Sequence, residues 1–285
     1  MKTLSNTTAG QDALAWDAEA EDLMKRLPFF VRPFARRKVE EYARTKGEGR
    51  VTRSLLESAR AHFMGNAAAP QAEGSESSSW QLDLCRGEEA GCPFAIASLA
   101  ALGSQLRQVL NECAWGEFLA RNVTGPILHH HRLRVAVAAC PNACSQPQIK
   151  DIGIIASLRP SAVTDDCTGC GRCVEACGEG AVEVREKRAI LRPERCVGCG
   201  LCVRHCPAQA LRSDGVRFRL LVGGKLGRHP RFATEVASEL REGQVCEAVR
   251  RVIELIKAQA RPGERVGDVV ERLGREAFVL AVQAV

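Results

Sequence analysis

The sequence of 285 residues is poor in aromatic residues and contains no long apolar run. Aromatic side chains make up 5% of the chain, and no basic run is interleaved with them, so we expect no nucleic-acid binding. No stretch approaches the roughly eighteen apolar residues of a membrane helix, which predicts the absence of a membrane span. Residues 1–22 lack the apolar segment of a secretory signal peptide, and we therefore expect a cytoplasmic protein.

Cysteine, in contrast, is abundant, with 14 residues. This number indicates either disulfides, which need an oxidising compartment, or bound metal, which needs reduced thiolates. The expected cytoplasmic location favours metal. The net charge of +6 comes from scattered basic and acidic residues, which predicts a solvated surface that could attract an acidic electron-donor protein.

The N-terminal part of the chain has a helical pattern. Apolar positions recur at helical spacing through residues 11–64. Breaks in the pattern fall at Pro28, Pro33 and Gly47. The small, polar residues that follow indicate a linker, which we place at 66–80, after a helical domain at 1–65.

Three motifs in this helical segment carry a resemblance. W-x-x-E-A-E, beginning at Trp16, is followed by P-F-F-V-R and E-x-Y-A-R. In these motifs the segment resembles the small helical domain at the C-terminal end of the B subunit of light-independent protochlorophyllide reductase. The resemblance implies a fold, and we expect a docking or capping bundle that has no chemistry of its own.

The strongest signal is a repeated cysteine run. CTGCGRCVEAC and CVGCGLCVRHC both read C-x2-C-x2-C-x3-C, and the second begins at Cys196, 29 residues after Cys167. The two runs resemble those of a bacterial two-cluster ferredoxin, in which the fourth cysteine of each run ligates the other cluster. The resemblance implies one [4Fe-4S] cluster on Cys167, Cys170, Cys173 and Cys206, and a second on Cys196, Cys199, Cys202 and Cys177.

The surroundings of the two runs agree with this interpretation. Glycines between the cysteines allow tight turns and leave N–H groups free to bond the sulfurs of a cluster. AVEVR and AILRP, between the runs, are candidate short strands. Pro207 follows the second run as in the family, whereas Gly178 replaces the proline expected after the first. A pair of zinc sites is disfavoured, because zinc takes two separate cysteine pairs.

Six cysteines remain outside the runs. Cys113 and Cys246 stand alone in helix-like stretches, where we expect ordinary buried thiols. The other four form two pairs, CRGEEAGC and CPNAC, at Cys85, Cys92, Cys140 and Cys144. Two pairs would suit a zinc site, a third iron–sulfur cluster, or two unrelated structural pairs.

The segments around these pairs carry a further resemblance. CRGEEAGCPFAIA, LRVAVAACPNACSQPQIKDIGIIA and VRFRLLVGGKLGRHPRFATE are similar to the C-terminal half-repeat of sirohaem sulfite and nitrite reductases. The resemblance implies an α+β domain formed by residues 81–157 and 214–285. A two-cluster ferredoxin at 158–213 would be inserted in it, as in the dissimilatory and anaerobic sulfite reductase subunits.

The same resemblance implies the cofactors. Cys85, Cys92, Cys140 and Cys144 would bind a third [4Fe-4S] cluster, and Cys144 would bridge that cluster to the iron of sirohaem. Two features depart from the family. Six residues rather than five separate Cys85 from Cys92, so one loop must bulge. The chain also contains only one of the two half-repeats that build a sirohaem pocket, so a partner chain or a second copy would complete it.

Two basic stretches are candidates for binding anions. In HHHRLRVAV, the two-residue period of a strand projects Arg132 and Arg134 to one face, where they could clamp a small oxyanion. The alternative is a solvated strand end, and we expect the three neighbouring histidines, 129–131, to form a surface cluster. In GGKLGRHPR, the resemblance implies that the carboxylates of the macrocycle are bound by Gly223, Gly224, Lys225 and Arg228. An ordinary glycine turn is the alternative there.

The sequence therefore predicts an α+β iron–sulfur oxidoreductase. A donor protein or reductase subunit would reduce the ferredoxin clusters, and electrons would pass to the third cluster and a sirohaem that reduces sulfite or nitrite. The main alternative is a non-catalytic electron-transfer subunit that keeps the clusters and has lost the sirohaem. A scaffold that docks on a larger reductase through its helical module is a third possibility.

Overall fold

The computed structural model describes residues 14–25, 32–64 and 79–283. The chain divides into two compact units, residues 1–75 and 76–285. Pro28 and most of the predicted linker at 66–80 lie outside the described residues. No helix in the described part of the chain is long and apolar enough to cross a membrane.

The first unit is helical, as the apolar spacing predicts. Its described elements are β1 (Ala15–Trp16), α1 (Ala18–Lys25), α2 (Arg32–Thr45), β2 (Arg50–Val51) and α3 (Arg53–Met64). β1 and β2 pair in parallel. Pro33 lies in the first turn of α2, where its missing N–H interrupts no helical hydrogen bond. Gly47 follows α2 with a φ of +73°, a conformation that ends a helix at little cost for glycine. These helices enclose a small core of their own.

The second unit is built on a five-stranded sheet, covered by helices and interrupted by an inserted segment. Its elements in chain order are β3 (Trp80–Leu84), α4 (Ala100–Glu112), α5 (Trp115–Asn122), β4 (Leu133–Ala138), β5 (Ile152–Ser157), β6 (Ala162–Val163), α6 (Arg172–Glu175), β7 (Val182–Arg185), β8 (Arg188–Leu191), α7 (Leu201–Arg204), β9 (Leu211–Arg212), β10 (Arg217–Val222), β11 (Thr234–Leu240), α8 (Glu242–Gln259), α9 (Val266–Leu273) and α10 (Arg275–Gln283).

The sheet is mixed, with the strand order β11-β10-β5-β4-β3. β3, β4 and β5 run parallel, whereas β10 is antiparallel to both β5 and β11. β5 is buried along its whole length, as expected for a parallel strand that is covered on both faces. Because β3, β4 and β5 are parallel, their C-terminal ends lie together at one end of the sheet.

Helices cover one face of the sheet and form the main core. α8 contributes Val245, Val249, Val252 and Ile256, which recur at helical spacing and are almost completely buried. Phe278 of α10 is also fully buried in this core. On the opposite face, a smaller cluster contains Ala138, Ala143, Ile155 and Leu221. The architecture is α+β, as predicted.

The inserted segment begins and ends at neighbouring strands. Ser157, the last residue of β5, lies opposite Arg217, the first residue of β10. The chain between them leaves the sheet and returns to the same place, so the insertion does not disturb the strand order. Within it, β6 pairs with β9 and β7 pairs with β8, both antiparallel. The strands predicted in AVEVR and AILRP are confirmed as β7 and β8.

Candidate metal centres

Two parallel strands bring the separated cysteine pairs to one end of the sheet. Cys85 follows β3 directly, and Cys140 and Cys144 follow β4. The backbone N–H of Cys85 donates to the carbonyl of Val137 at 2.9 Å, which extends the pairing of β3 with β4 to the first cysteine. The CRGEEAGC and CPNAC motifs are therefore adjacent in space, although far apart in sequence.

A short 3-10 turn brings Cys92 back to this site. The turn, Gly87–Ala90, lies between Cys85 and Cys92, and the N–H of Cys92 donates to the carbonyl of Gly87 at 3.0 Å. Further along, the N–H of Ile96 donates to the carbonyl of Ala139 at 3.0 Å, next to the second cysteine pair. The loop that contains Cys92 and the loop after β4 are thus joined by a hydrogen bond.

The four thiols are close enough to influence one another. Burial raises the pKa of Cys140, and the neighbouring thiols of Cys85, Cys92 and Cys144 raise it further. Cys140 is buried, whereas Cys144 is exposed. Cys140, buried beside three other sulfurs, needs a positively charged group to be held as a thiolate. We call these four residues the sheet cysteines.

The chain returns from the sheet cysteines to β5 through residues 145–151, the return segment. The hydroxyl of Ser145 donates to the carbonyl of Val137 at 2.9 Å, and a 3-10 turn, Pro147–Ile149, follows. Pro147 lies directly over Gly153 of β5, where a Cβ atom would be 2.3 Å from the carbonyl oxygen of Pro147. The isolated glycine in an otherwise apolar strand was a sequence signal for this close approach.

The inserted segment contains two further groups of thiols. One cavity is lined by Cys167, Cys170, Cys173 and Cys206, and a second cavity is lined by Cys177, Cys196, Cys199 and Cys202. The structure thus places the fourth cysteine of each run with the first three of the other run. We call these groups the first and second ferredoxin sets.

Backbone N–H groups point at several of these sulfurs. Ala181 donates to the sulfur of Cys177 at 3.3 Å, and Ala210 donates to the sulfur of Cys206 at 3.2 Å. These two hydrogen bonds occupy equivalent positions in the repeat. Such bonds stabilise sulfur that carries negative charge, as in a cluster ligand.

The donor chemistry of the three groups fits iron–sulfur clusters. In the second ferredoxin set, burial and the nearby Cys196, Cys199 and Cys177 raise the pKa of Cys202 to about 12, so this thiol needs a bound cation to lose its proton near neutral pH. All fourteen cysteines are free thiols. Within the described residues, no three cysteine, histidine or acidic side chains converge tightly enough to hold a single metal ion. A four-iron cube accepts more widely spaced sulfurs than one zinc ion does.

The two remaining cysteines lie apart from these groups. Cys113 is buried, and its thiol donates to the carbonyl of Leu110 at 3.0 Å. Cys246 is half-buried, with its sulfur 3.8 Å from the side-chain oxygen of Gln105. Neither thiol is among the groups that line the cysteine sites.

The structure does not bring Arg132 and Arg134 to the sheet cysteines. Both lie at the start of β4, and the strand places about 20 Å between Arg134 and Cys140. The backbone N–H and the Nε of Arg134 donate to Oδ2 of Asp151, at 2.9 and 3.3 Å. Burial raises the pKa of Asp151, although the charge of Arg134 opposes that shift. The histidines at 129–131 form a 3-10 turn in which none is buried.

The residues of GGKLGRHPR follow β10, beside the N-terminal end of β5. The N–H groups of Gly223 and Gly224 donate to the carbonyls of Asp151 and Lys150, at 2.8 and 2.9 Å. The ammonium group of Lys225 donates to Asp268 at 2.9 Å, and Arg228 is exposed. The two glycines therefore serve a close turn, and Lys225 already has a carboxylate partner.

Family models match both parts of the chain. Residues 125–285, more than half of the chain, match the model described as the nitrite and sulphite reductase 4Fe-4S domain. Residues 16–60 match the model described as the proto-chlorophyllide reductase 57 kD subunit. The predicted resemblances to these two families are confirmed.

Curated relatives match shorter segments. The coenzyme F420-dependent sulfite reductase of Methanocaldococcus jannaschii is 40% identical over 55 residues, which cover 19% of this chain and 9% of that protein. The B subunit of the light-independent protochlorophyllide reductase of Heliobacterium modesticaldum is 44% identical over 61 residues, covering 21% of this chain and 12% of that protein. The chain thus matches only a small part of each relative.

A solved structure shares the fold over most of the chain. The crystal structure of dissimilatory sulfite reductase I superposes with a TM-score of 0.52 and 16% sequence identity, covering 82% of this chain and 58% of that one. At this identity the likeness concerns the fold alone. The family match over residues 125–285 is the more specific finding. By that match, the chain belongs to the family of the nitrite and sulphite reductase 4Fe-4S domain.

Proposed function

We propose that this chain is an iron–sulfur oxidoreductase subunit of the sulfite and nitrite reductase type. It would hold three [4Fe-4S] clusters, on the sheet cysteines and on the two ferredoxin sets, and a sirohaem at Cys144. When bound, the clusters would supply single electrons, and the sirohaem would supply the iron at which sulfite or nitrite is reduced. The observation that carries the proposal is the convergence of the two cysteine pairs at one end of the sheet.

The sheet cysteines differ in exposure in a way that suits two functions. Cys140 is buried beside the loop of Ala143, so its sulfur would anchor a cluster from the protein side. Cys144 is exposed, which leaves its sulfur accessible to a second group outside the chain's own core. This difference supports Cys144 as the residue shared between cluster and macrocycle.

A second chain would complete the sirohaem pocket. The resemblance covers one half-repeat, and the fold-matched sulfite reductase is longer than this chain, with 58% of it covered. We propose that a partner subunit or a second copy contributes the remaining walls and the groups that bind the oxyanion. Arg132 and Arg134 are not part of the proposed oxyanion site, because the length of β4 separates them from Cys144. Arg228 is left out of the proposal for the same reason, because its stretch follows β10 beside the N-terminal end of β5.

The free thiols also support a location in a reducing compartment. Fourteen unpaired cysteines suit a reducing cytoplasm, where thiolates remain available to iron. The electron donor would be a separate protein or subunit, because reduction of the anion consumes electrons that this chain does not generate.

Metal analysis and absorption spectroscopy of anaerobically purified protein test the proposal. We expect about thirteen irons per chain, twelve from the three clusters and one from the sirohaem, and the absorption bands of an isobacteriochlorin. Cys144→Ser should abolish the coupling between macrocycle and cluster, whereas the matched variant Cys113→Ser, at a buried thiol outside all three groups, should leave it unchanged. About twelve irons per chain without macrocycle bands would refute the enzyme and favour the electron-transfer subunit that has lost the sirohaem. About eight irons without those bands would also refute the cluster at the sheet cysteines.

A further inference from the structure

The second cysteine run lies directly against the sheet. The N–H of Leu158, just after β5, donates to the carbonyl of Gly198 at 2.7 Å. A Cβ atom at Gly198 would lie 2.9 Å from Cβ of Ser157, and one at Gly200 would lie 2.7 Å from the side chain of Leu158. These glycines let the loop from Cys196 to Cys202 approach the C-terminal end of β5. That is the end of the parallel strands at which the sheet cysteines lie.

Arg204 makes a second contact from the same run. Its Nη1 donates to the carbonyl of Pro93 at 3.1 Å and to that of Ala95 at 3.4 Å. The N–H of Ala95 in turn donates to the carbonyl of Cys92 at 3.2 Å. One guanidinium group therefore joins the inserted segment to the residues that directly follow Cys92, one of the sheet cysteines.

The repeat is asymmetric at this position. Arg204 lies two residues after the third cysteine of its run, and the equivalent position in the first run is Glu175. Leu201 likewise corresponds to Arg172. Within the described residues, the hydrogen bonds of the first run remain inside the inserted segment. Cys170 of that run is exposed. The first ferredoxin set thus faces outward, and the second run faces the sheet.

We propose that Arg204 is a positioning residue that holds the second ferredoxin set beside Cys92. This inference rests on the proposed function. One electron from an external one-electron donor protein would enter at the first ferredoxin set, whose Cys170 is exposed, and leave through the second set toward the sheet cysteines. The donor is oxidised by one electron, the sheet cysteine centre is reduced by one electron, and no bond forms or breaks.

Arg204→Gln and Arg172→Gln form a matched pair for testing this role. Both remove one positive charge from an exposed position of a ferredoxin run, but only Arg204 bonds to Pro93 and Ala95. Both variants should bind as much iron as the unchanged protein. We expect Arg204→Gln alone to accelerate hydrogen exchange at the amides of residues 95 and 96.

Electron paramagnetic resonance of the reduced protein supplies the functional readout. We expect Arg204→Gln to weaken the magnetic interaction between the second ferredoxin set and the sheet cysteine centre, and to slow intramolecular electron transfer several-fold after rapid photoreduction. Arg172→Gln should preserve both.

Two results would overturn the role of Arg204. One is an unchanged magnetic interaction and transfer rate in Arg204→Gln, even if hydrogen exchange accelerates. The other is an equal loss in both variants, which would reflect charge rather than contact. An iron content of about eight per chain in the unchanged protein would instead refute the proposed function, and with it the electron route. Hydrogen exchange at residues 95 and 96 shows whether the contact of Arg204 is lost, independently of the iron content and the electron-transfer rate.

Discussion

Replacing Gly153 by alanine tests whether the return segment holds the sheet cysteines in place. The new Cβ would lie 2.3 Å from the carbonyl oxygen of Pro147, 2.8 Å from its carbonyl carbon and 3.0 Å from its Cβ. The nearest atoms belong to backbone, which cannot rotate away as a side chain can. Pro147 would have to retreat by about 1 Å to restore ordinary contact.

The cost of this displacement follows from packing. Overfilling a well-packed interior by a methyl group destabilises a protein by about 1–3 kcal/mol. Because Pro147 follows Cys144 by only a few residues, we expect the displacement to reach the sheet cysteines. Gly153→Ala should therefore lose the iron of that site, including the sirohaem at Cys144, falling from about thirteen to about eight irons per chain, and keep the ferredoxin signals.

Urea unfolding and iron analysis measure the two effects. Gly243→Ala, in the first turn of α8, is the matched control, because a Cβ there meets no atom within 4 Å. This control should keep its iron and be as stable as the wild type or slightly more stable, because alanine favours a helix over glycine. Wild-type iron content in Gly153→Ala, together with a free energy of unfolding within about 0.5 kcal/mol of wild type, would refute the reasoning.

Three further predictions concern stability and the inserted segment. The hydrogen bonds from Arg272 hold the pKa of Glu264 at about 2, below its ordinary 4.5, so this carboxylate stabilises the fold above pH 4.5 and loses that contribution as the pH falls toward 2. Glu264→Gln should flatten this part of the pH dependence in thermal unfolding; an unchanged profile would contradict the assignment. Phe278→Ala should cost about 3–5 kcal/mol in urea unfolding, whereas Leu280→Ala, 67% exposed in the same helix, should be nearly neutral; equal losses would contradict the packing of α10. Gly198→Ala, at a φ of +76° and against β5, should loosen the inserted segment and, because Gly198 lies between Cys196 and Cys199, weaken the second ferredoxin set, seen as faster proteolysis there and a loss of about four irons per chain; unchanged proteolysis and iron content would show that this contact contributes little.

Local spacing explains what the sequence could predict. The two cysteine runs, the short strands between them and the helices of the first unit depend on residues within a few positions of one another. Pairing of CRGEEAGC with CPNAC, in contrast, depends on β3 lying parallel to β4, and only the family resemblance indicated it before the structure. The contact of Arg204 with Pro93 joins residues more than a hundred positions apart, and no local pattern marks it.

Strand length limits which residues of one stretch can share a site. Arg132 and Arg134, predicted to clamp a small oxyanion, are near neighbours of Cys140 in sequence. An extended strand, however, separates its two ends by about 3.3 Å per residue. Residues that precede a strand and residues that follow it therefore lie at opposite ends of the sheet. The structure places Arg134 with Asp151 for this reason.

One row of residues across the three parallel strands has a related consequence. Asp83, Ala136 and Gly153 lie side by side on β3, β4 and β5. The return segment crosses this row, with Pro147 against Gly153. Near its end, the ammonium group of Lys150 donates to the carboxylate of Asp83. Larger side chains in the row would lift the segment, and the loop of sheet cysteines just before it would move too. The hydrophobic pattern predicts only that these strands are buried. The structure adds that small side chains in this row allow the return segment, and with it the loop of sheet cysteines, to lie where it does.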